Sequence, residues 1–266
     1  MTDCLNFGNP ERPEVMWEFE RAIAGLGVGL REIDVPVVSG NVSLYNETGD
    51  ASIHPTPTIG MVGLLESRDD AVGMGLPAEG GEIVLLGCPR PQLGATTYAR
   101  VCHGVEQGAP PKVHWGEERA LLLTLRTAIR RGLVVAAHDA ADGGLAVALA
   151  EMAIAGGRNL DLGDGVGCVV NVPAYPDPVA RELYLFGETH GCAWVVVPTA
   201  ELPDLLALAQ ELGCMARHCG AARGDRIVIT DAHKQAAVDL SVVDARASWS
   251  GGFCDAIGLP QPPARP

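Results

Sequence analysis

Oxygen-bearing side chains crowd two short stretches near the start of the chain. Asp3 and Asn6 lie in the first, and Asn41, Ser43 and Glu47 in the second. Carboxylate, amide and hydroxyl oxygens are the ligands that hard cations such as Mg²⁺ take, often shared with phosphates. The second stretch follows Val35-Pro36-Val37-Val38, a brief β-branched run that reads as a buried strand. Ser39-Gly40-Asn41 then reads as a tight turn at that strand's end, because Gly and Asn tolerate backbone angles that bulkier residues avoid. Strand-end loops commonly bind ligands in α/β proteins. An ordinary surface turn, with Asn and Asp as local turn formers, accounts for the same spacing.

Two further stretches carry polar chemistry. Leu133 to Ala137 reads as a strand entering His138-Asp139-Ala140-Ala141-Asp142-Gly143-Gly144, after which a helix runs from Leu145 to Ala155. The free N–H groups at such a helix start can hold a phosphate, although the Lys-Ser/Thr of a P-loop is missing. Asp142 acting as an N-cap and His138 acting as a hydrogen-bonded core residue fit the same pattern. Gly187-Glu188-Thr189-His190-Gly191 forms a polar corner ahead of a strand at Ala193–Val197. It offers hydrogen-bonding groups to a polar ligand or simply caps a turn. No Ser-His-Asp or Cys-His grouping supports nucleophilic hydrolysis.

The elements that must position these residues alternate between strand and helix, so the class is α/β or α+β with mixed sheets. Val15, Phe19, Ile23, Leu26 and Leu30 fall on one helical face behind Pro10 and Pro13. Gly25, Gly27 and Gly29 weaken that helix by about 1 kcal/mol each against alanine, and are tolerable if the face packs closely on a sheet. Strands are expected at Thr58–Leu65, Glu82–Gly87, Gly167–Val172 and Arg226–Ile229, and helices at Glu117–Arg131 and Leu202–Leu212. The first ten residues read as a polar loop. Glycine and proline concentrate around 67–81, which marks a domain boundary: a first domain over 1–70, a linker over 71–80, a second domain over 81–260 and a Pro-rich tail over 261–266.

A formal net charge of −14 over 266 residues argues against nucleic acid or an anionic membrane as the main partner. No apolar run reaches membrane-spanning length. Eight cysteines are scattered without a C-x-x-C pair, and Cys214 and Cys219 around His218 make only a fragment of a metal site. Reduced, mostly buried thiols and a cytoplasmic location are the expectation.

Longer blocks are more specific. Thr2-Asp3-Cys4-Leu5-Asn6-Phe7-Gly8-Asn9-Pro10-Glu11, Pro13-Glu14 with Trp17, Pro36 through Glu47, and Pro55-Thr56-Pro57 with Ile59-Gly60-Met61-Val62-Gly63 resemble the second half of the synthetase subunit of the phosphoribosylformylglycinamidine synthase family, from purine biosynthesis. His138-Asp139, Asp142-Gly143-Gly144-Leu145 and Gly187-Glu188 resemble the second domain of the same superfamily, which includes aminoimidazole ribonucleotide synthetase and selenophosphate synthetase. The resemblance implies a partial ATP-binding N-terminal-type domain joined to its C-terminal α/β partner domain.

It further implies a carbon–nitrogen ligase that converts formylglycinamide ribonucleotide, ATP and glutamine-derived ammonia to formylglycinamidine ribonucleotide. By matching positions, Asp3 and Gly40 contact ATP, Asn41 ligates Mg²⁺, and Ser43 touches the ribonucleotide. The implied partners are a glutaminase subunit, a small accessory subunit and the synthetase's N-terminal half, which carries the catalytic histidine. No catalytic residue falls in this chain, which alone is expected to be inactive. Gly187-Glu188-Thr189-His190-Gly191 departs from the family's Glu-Ser-Gln type corner, so no substrate contact is carried over to it. A non-catalytic docking fragment, or another ATP-using synthetase of the superfamily, is the alternative.

Overall fold

A computed structural model describes residues 1–49, 51–78, 80–157 and 165–258; the expected tail over 261–266 lies outside them. The chain divides into two units, Met1–Glu66 and Ser67–Pro266.

In the first unit, β1 (Thr2–Asn6) is followed by α1 (Pro13–Glu32), and β2 (Ser39–Ser43) then runs parallel to β1. A short antiparallel pair, β3 (Glu47–Thr48) and β4 (Ala51–Ser52), precedes β5 (Thr56–Gly60), which lies antiparallel to β1. The sheet order is β2-β1-β5, with β1 in the centre. Leu5 and Phe7 are buried beneath α1 with Val15, and Phe19, Ala22 and Leu26 pack around them. Phe7 and Phe19 meet edge to face at 5.0 Å, an arrangement their ring quadrupoles favour.

Five expectations fail here. The polar loop expected at the start is the central strand β1; its polar residues alternate with Leu5 and Phe7, so only one face is apolar. The buried strand expected over Val35–Val38 is not one: Val37 and Val38 are 56% and 76% exposed. Proline at 36 has no N–H to give a ladder; its carbonyl accepts from the Met1 amino group at 2.8 Å, and the Val38 N–H donates to the Met1 carbonyl at 2.9 Å. Ser39-Gly40-Asn41, expected as a turn, is therefore strand. The strand expected to reach Leu65 stops at Gly60, opposite Thr2 at the start of β1. Beyond it, Val62 and Leu64 stand 97% and 95% exposed. Nor does close packing explain the α1 glycines: a Cβ on Gly25 would meet nothing within 4 Å, and one on Gly27 only the Arg31 side chain.

The second unit is a layered α/β structure. Its elements are β6 (Glu82–Gly87), α2 (Thr97–His103), α3 (Trp115–Arg130), β7 (Ala136–Asp139), α4 (Gly144–Ile154), β8 (Cys168–Asn171), α5 (Pro178–Phe186), β9 (Cys192–Val197), α6 (Leu202–Glu211), β10 (Ala216–Ala222), β11 (Arg226–Thr230), β12 (Ala236–Ser241) and α7 (Val242–Ile257). Seven strands form one mixed sheet in the order β12-β11-β8-β10-β6-β9-β7. Among the described strands of this sheet only β8 and β11 pair in parallel. Ile83 and Leu85 of β6 face Leu145, Leu149 and Met152 of α4, Leu185 of α5 and Val242 of α7. Val84 and Leu86 face Leu121 and Ala128 of α3 and Leu205 and Leu208 of α6. Burial on both faces explains why β6 and β9 read as unbroken apolar runs. Trp194 is fully buried, and its indole N–H donates to the Leu145 carbonyl at 3.0 Å.

Leu149→Ala is expected to cost about 2–5 kcal/mol, because it leaves a cavity under the sheet. Gly25→Ala is expected to add about 1 kcal/mol, since open space surrounds the position and alanine is the better helix former. Urea unfolding curves measure both.

Candidate functional site

Strand register decides which polar side chains of the first unit meet. β1 and β2 pair with Asp3 opposite Gly40, Cys4 opposite Asn41 and Asn6 opposite Ser43. Paired residues share a face and successive residues alternate. Asp3, Leu5, Gly40 and Val42 therefore point to the α1 side, and Thr2, Cys4, Asn6, Ser39, Asn41 and Ser43 to the other. Thr56 and Thr58 of β5 extend that second face opposite Asn6 and Cys4. It carries hydroxyls, amides and a thiol, with no charge and no large apolar group. The single oxygen cluster expected from spacing is thus split by the sheet: Asp3 goes with Gly40, and Asn41 with Ser43 and Asn6. Thr2, Ser39, Thr56 and Thr58 are the polar residues that motif reading passed over; a test for alternation along each strand would have found them.

The Asp3–Gly40 pair is tight. A Cβ at position 40 would stand 2.7 Å from Asp3 Cγ and 2.9 Å from Oδ2, so only glycine leaves the carboxylate where it is. Asp3 has no hydrogen-bond or ion-pair partner among the described residues, and β2 is an edge strand. Because Gly40 is bare, the carboxylate is open towards that edge. Asn41 is exposed on the same strand.

Other oxygens are already committed. Asn46 locks the chain after β2: its side-chain N–H₂ donates to the Ser43 carbonyl at 2.8 Å, the Phe7 carbonyl at 3.0 Å and Ser43 Oγ at 3.1 Å. Tyr45 beside it takes a left-handed φ of +60°. Asn6 donates to the carbonyls of Cys4 at 3.0 Å and Thr56 at 3.1 Å, which ties β1 to β5. Glu47 accepts from the Ser52 hydroxyl at 2.9 Å, the Asn9 N–H at 3.1 Å and Arg12 at 3.3 Å. Its carboxyl is held below the usual carboxylate range, first by the Ser52 hydroxyl, then by the Asn9 N–H, with Arg12 adding to both. Glu47 is therefore a clamp between the loop before α1 and the β3–β4 pair.

Magnesium usually takes one or two carboxylates together with phosphates and waters. Among the described residues no three His, Cys, Asp or Glu side chains gather to hold a metal. Asn41 supplies one uncommitted hard oxygen. The first unit thus fits one ligand of a magnesium shell and not the whole shell.

In the second unit a cleft of about 630 Å³ brings the other two polar stretches together, with His138, Asp139, Asp142, Glu188, Thr189 and His190 on its walls. Both ring nitrogens of His138 are engaged, Nε2 with Glu151 Oε2 at 2.9 Å and Nδ1 with Asp139 Oδ1 at 3.2 Å. Asp142 does not cap α4: the N-cap is Gly143, whose φ of +77° suits glycine. The Gly143 N–H instead donates to Glu188 Oε1 at 3.3 Å, and the same oxygen accepts from the Thr97 N–H at 2.8 Å. A side-chain carboxylate therefore occupies the anion position at the start of α4, where a phosphate was one expectation. The backbone of Glu188 also pairs with Gln92 in both directions, at 3.0 and 3.1 Å. Thr189 is buried, accepting from the Arg90 N–H at 2.9 Å. This polar corner is a joint between three segments.

Residues 1–65 match the family of AIR synthase related proteins over their N-terminal domain, and residues 78–232 match the C-terminal domain of that family. The phosphoribosylformylglycinamidine synthase subunit PurL of Anaeromyxobacter sp. (strain Fw109-5) is 41% identical over 254 residues, which are 95% of this chain and 32% of that protein. The chain thus spans about a third of the length of the curated relatives it matches. Among solved structures, T. maritima PurL complexed with FGAR superposes with a TM-score of 0.66 at 15% identity, covering 92% of this chain and 39% of that one. T. maritima PurL complexed with ATP gives 0.62 at 16% identity, covering 92% and 37%. At these identities the likeness is one of fold.

Glu188→Ala leaves two backbone N–H groups, one of them at buried Gly143, without their acceptor; it is expected to cost about 1–3 kcal/mol, read from thermal unfolding. Because the folded-state pKa of Glu47 is lowered, its contribution is complete above the ordinary glutamate value and is lost as pH falls through the lower folded value. As pH falls through and below the ordinary glutamate value, the wild type should lose stability that Glu47→Gln never has, so the two melting curves converge on acidification.

Proposed function

The chain belongs to the AIR synthase related family, and we propose that its first unit is one wall of the nucleotide and substrate site of a phosphoribosylformylglycinamidine synthase. The reaction converts formylglycinamide ribonucleotide, ATP and glutamine-derived ammonia to formylglycinamidine ribonucleotide. The formyl amide oxygen is activated by phosphorylation and ammonia displaces the phosphate. Such chemistry depends mainly on positioning and on neutralising charge. The observation that carries this reading is the unpartnered Asp3 carboxylate, lying across the bare Gly40 at an open strand edge.

An ionised carboxylate only accepts hydrogen bonds, so Asp3 binds donors on the nucleotide, its ribose hydroxyls or its amino group, and not its phosphates. Gly40 keeps that approach clear of a side chain. Asn41 would hold a magnesium ion through its amide oxygen, and that ion would offset phosphate charge. Ser43, whose hydroxyl donates to Asn46 Oδ1 and accepts from the Asn46 amide, offers its remaining lone pair to a donor of the ribonucleotide across the polar face. The remaining metal ligands, the acid–base group and the ammonia come from the synthetase's N-terminal half, a glutaminase subunit and a small accessory subunit. The T. maritima structures with ATP and with FGAR support binding of both ligands on this fold.

Mg²⁺–ATP at 100 times its dissociation constant is expected to stabilise the chain by about 2.7 kcal/mol. That stabilisation should vanish in Asn41→Ala and in Asp3→Asn, as read by thermal shift. With ATP, ammonia and the ribonucleotide, the chain alone should release no product; turnover without a second polypeptide would refute the half-site reading.

A further inference from the structure

Most arginines for which side-chain pairing is resolved face an acid. Arg12 meets Glu14 and Glu47, Arg90 meets Glu117 at 2.6 Å, and Arg226 meets Asp239 at 2.7 Å. Arg246 donates to the Ile154 carbonyl at 2.7 Å instead, and Arg217 likewise meets no acid. It lies at the start of β10, opposite Leu85 of β6 on the face covered by α4 and α5, and it is half-buried. Its Nε donates to the Cys219 sulfur at 3.3 Å and its Nη2 to the Asn171 carbonyl at 3.4 Å. Among the described residues no carboxylate lies within ion-pair distance of it. A guanidinium has five N–H donors in a fixed fork, and the partners here are a sulfur, a distant carbonyl and the Tyr184 hydroxyl, none of them an anion.

The surroundings make this costly. Half-buried charges are normally paired, and the chain has 33 acidic residues against 19 basic ones, so a partner was abundantly available. A pocket of about 200 Å³ opens beside the guanidinium, walled by Leu85, Pro89, Pro173, Tyr184 and Met215 as well as Arg217 itself. The neighbouring Tyr175 hydroxyl is shut off from solvent without a hydrogen-bond partner. Burial holds the phenols of Tyr175 and Tyr184 protonated, raising both above their ordinary values.

We propose that this pocket binds a small organic carboxylate, its two oxygens on the Arg217 fork and its short apolar tail against Leu85, Pro173 and Met215. The fork geometry matches a planar carboxylate in a bidentate pair. The pocket is smaller than the roughly 300 Å³ at which drug-sized sites begin, which limits the tail to a few carbons. This site lies in the second unit and uses none of the residues assigned to ATP or the ribonucleotide. The competing account is a structural arginine whose stem covers the core edge while its head reaches water.

Propionate, with inorganic phosphate and chloride at equal ionic strength as comparisons, separates the two. Calorimetric titration of the full chain should show propionate binding that Arg217→Met, which keeps the apolar stem, weakens by about tenfold or more. Phenylglyoxal modification of the wild type, followed by mass spectrometry, provides a second measurement should Arg217→Met fail to fold: propionate should slow modification at Arg217 and leave Arg126 unchanged. Absence of propionate binding, equal affinity in Arg217→Met, or protection by phosphate and not propionate would each overturn the proposal.

Discussion

Parallel pairing of β1 with β2 places Asp3 opposite Gly40, and this register governs the whole first unit. A slip of one residue would turn every side chain of β2 to the other face, bringing Val42 onto the polar side and Asn41 under α1. Two features pin the register. Asp3 needs a neighbour without a side chain, and Gly40 is the only glycine in β2. Asn46 then fastens the far end by gripping Ser43 and Phe7 at once. Between them, a strand with almost no buried side chain is held in one alignment.

The second unit solves a different problem with the same economy. A helix start with free N–H groups attracts an anion, and at α4 the anion is Glu188 from the chain itself. Because that oxygen also receives the Thr97 N–H, the start of α2, the start of α4 and the corner before β9 are fixed relative to one another. These hydrogen bonds tie the rim of the cleft together. Its wall carries His138, whose Nε2 is hydrogen-bonded to Glu151 and whose Nδ1 lies 3.2 Å from Asp139.

Much of this was legible in the sequence, and what was not has identifiable causes. The doubly buried strands β6 and β9 announce themselves as apolar runs, and α3 by the acids in its first turn and Arg130 in its last. β1 was hidden because its polar residues serve an exposed face, which makes a strand read as a loop. Val35–Val38 misled in the opposite sense, since β-branched residues next to Pro36 have the composition of a strand without the donors for a ladder. β10 holds no apolar side chain larger than cysteine, and β12 only Val238 and Leu240, so both take their conformation from their sheet neighbours. At the site, the residue types at 3, 40, 41 and 43 could be read directly. That Asp3 and Asn41 stand on opposite faces could not, because only the register reveals it.

One member of the polar face is a thiol. Cys4 sits opposite Asn41 in the pairing of β1 with β2 and is partly accessible, whereas burial pushes Cys168 and Cys192 up to about 12. The two deep sulfurs are therefore poor nucleophiles, and Cys4 is one of the thiols within reach of a reagent. Alkylation or oxidation there adds bulk or charge beside Asn41 without disturbing the packing beneath α1. The first unit thus carries a native attachment point for a spectroscopic label on its polar face, and a vulnerability to peroxide at the same atom.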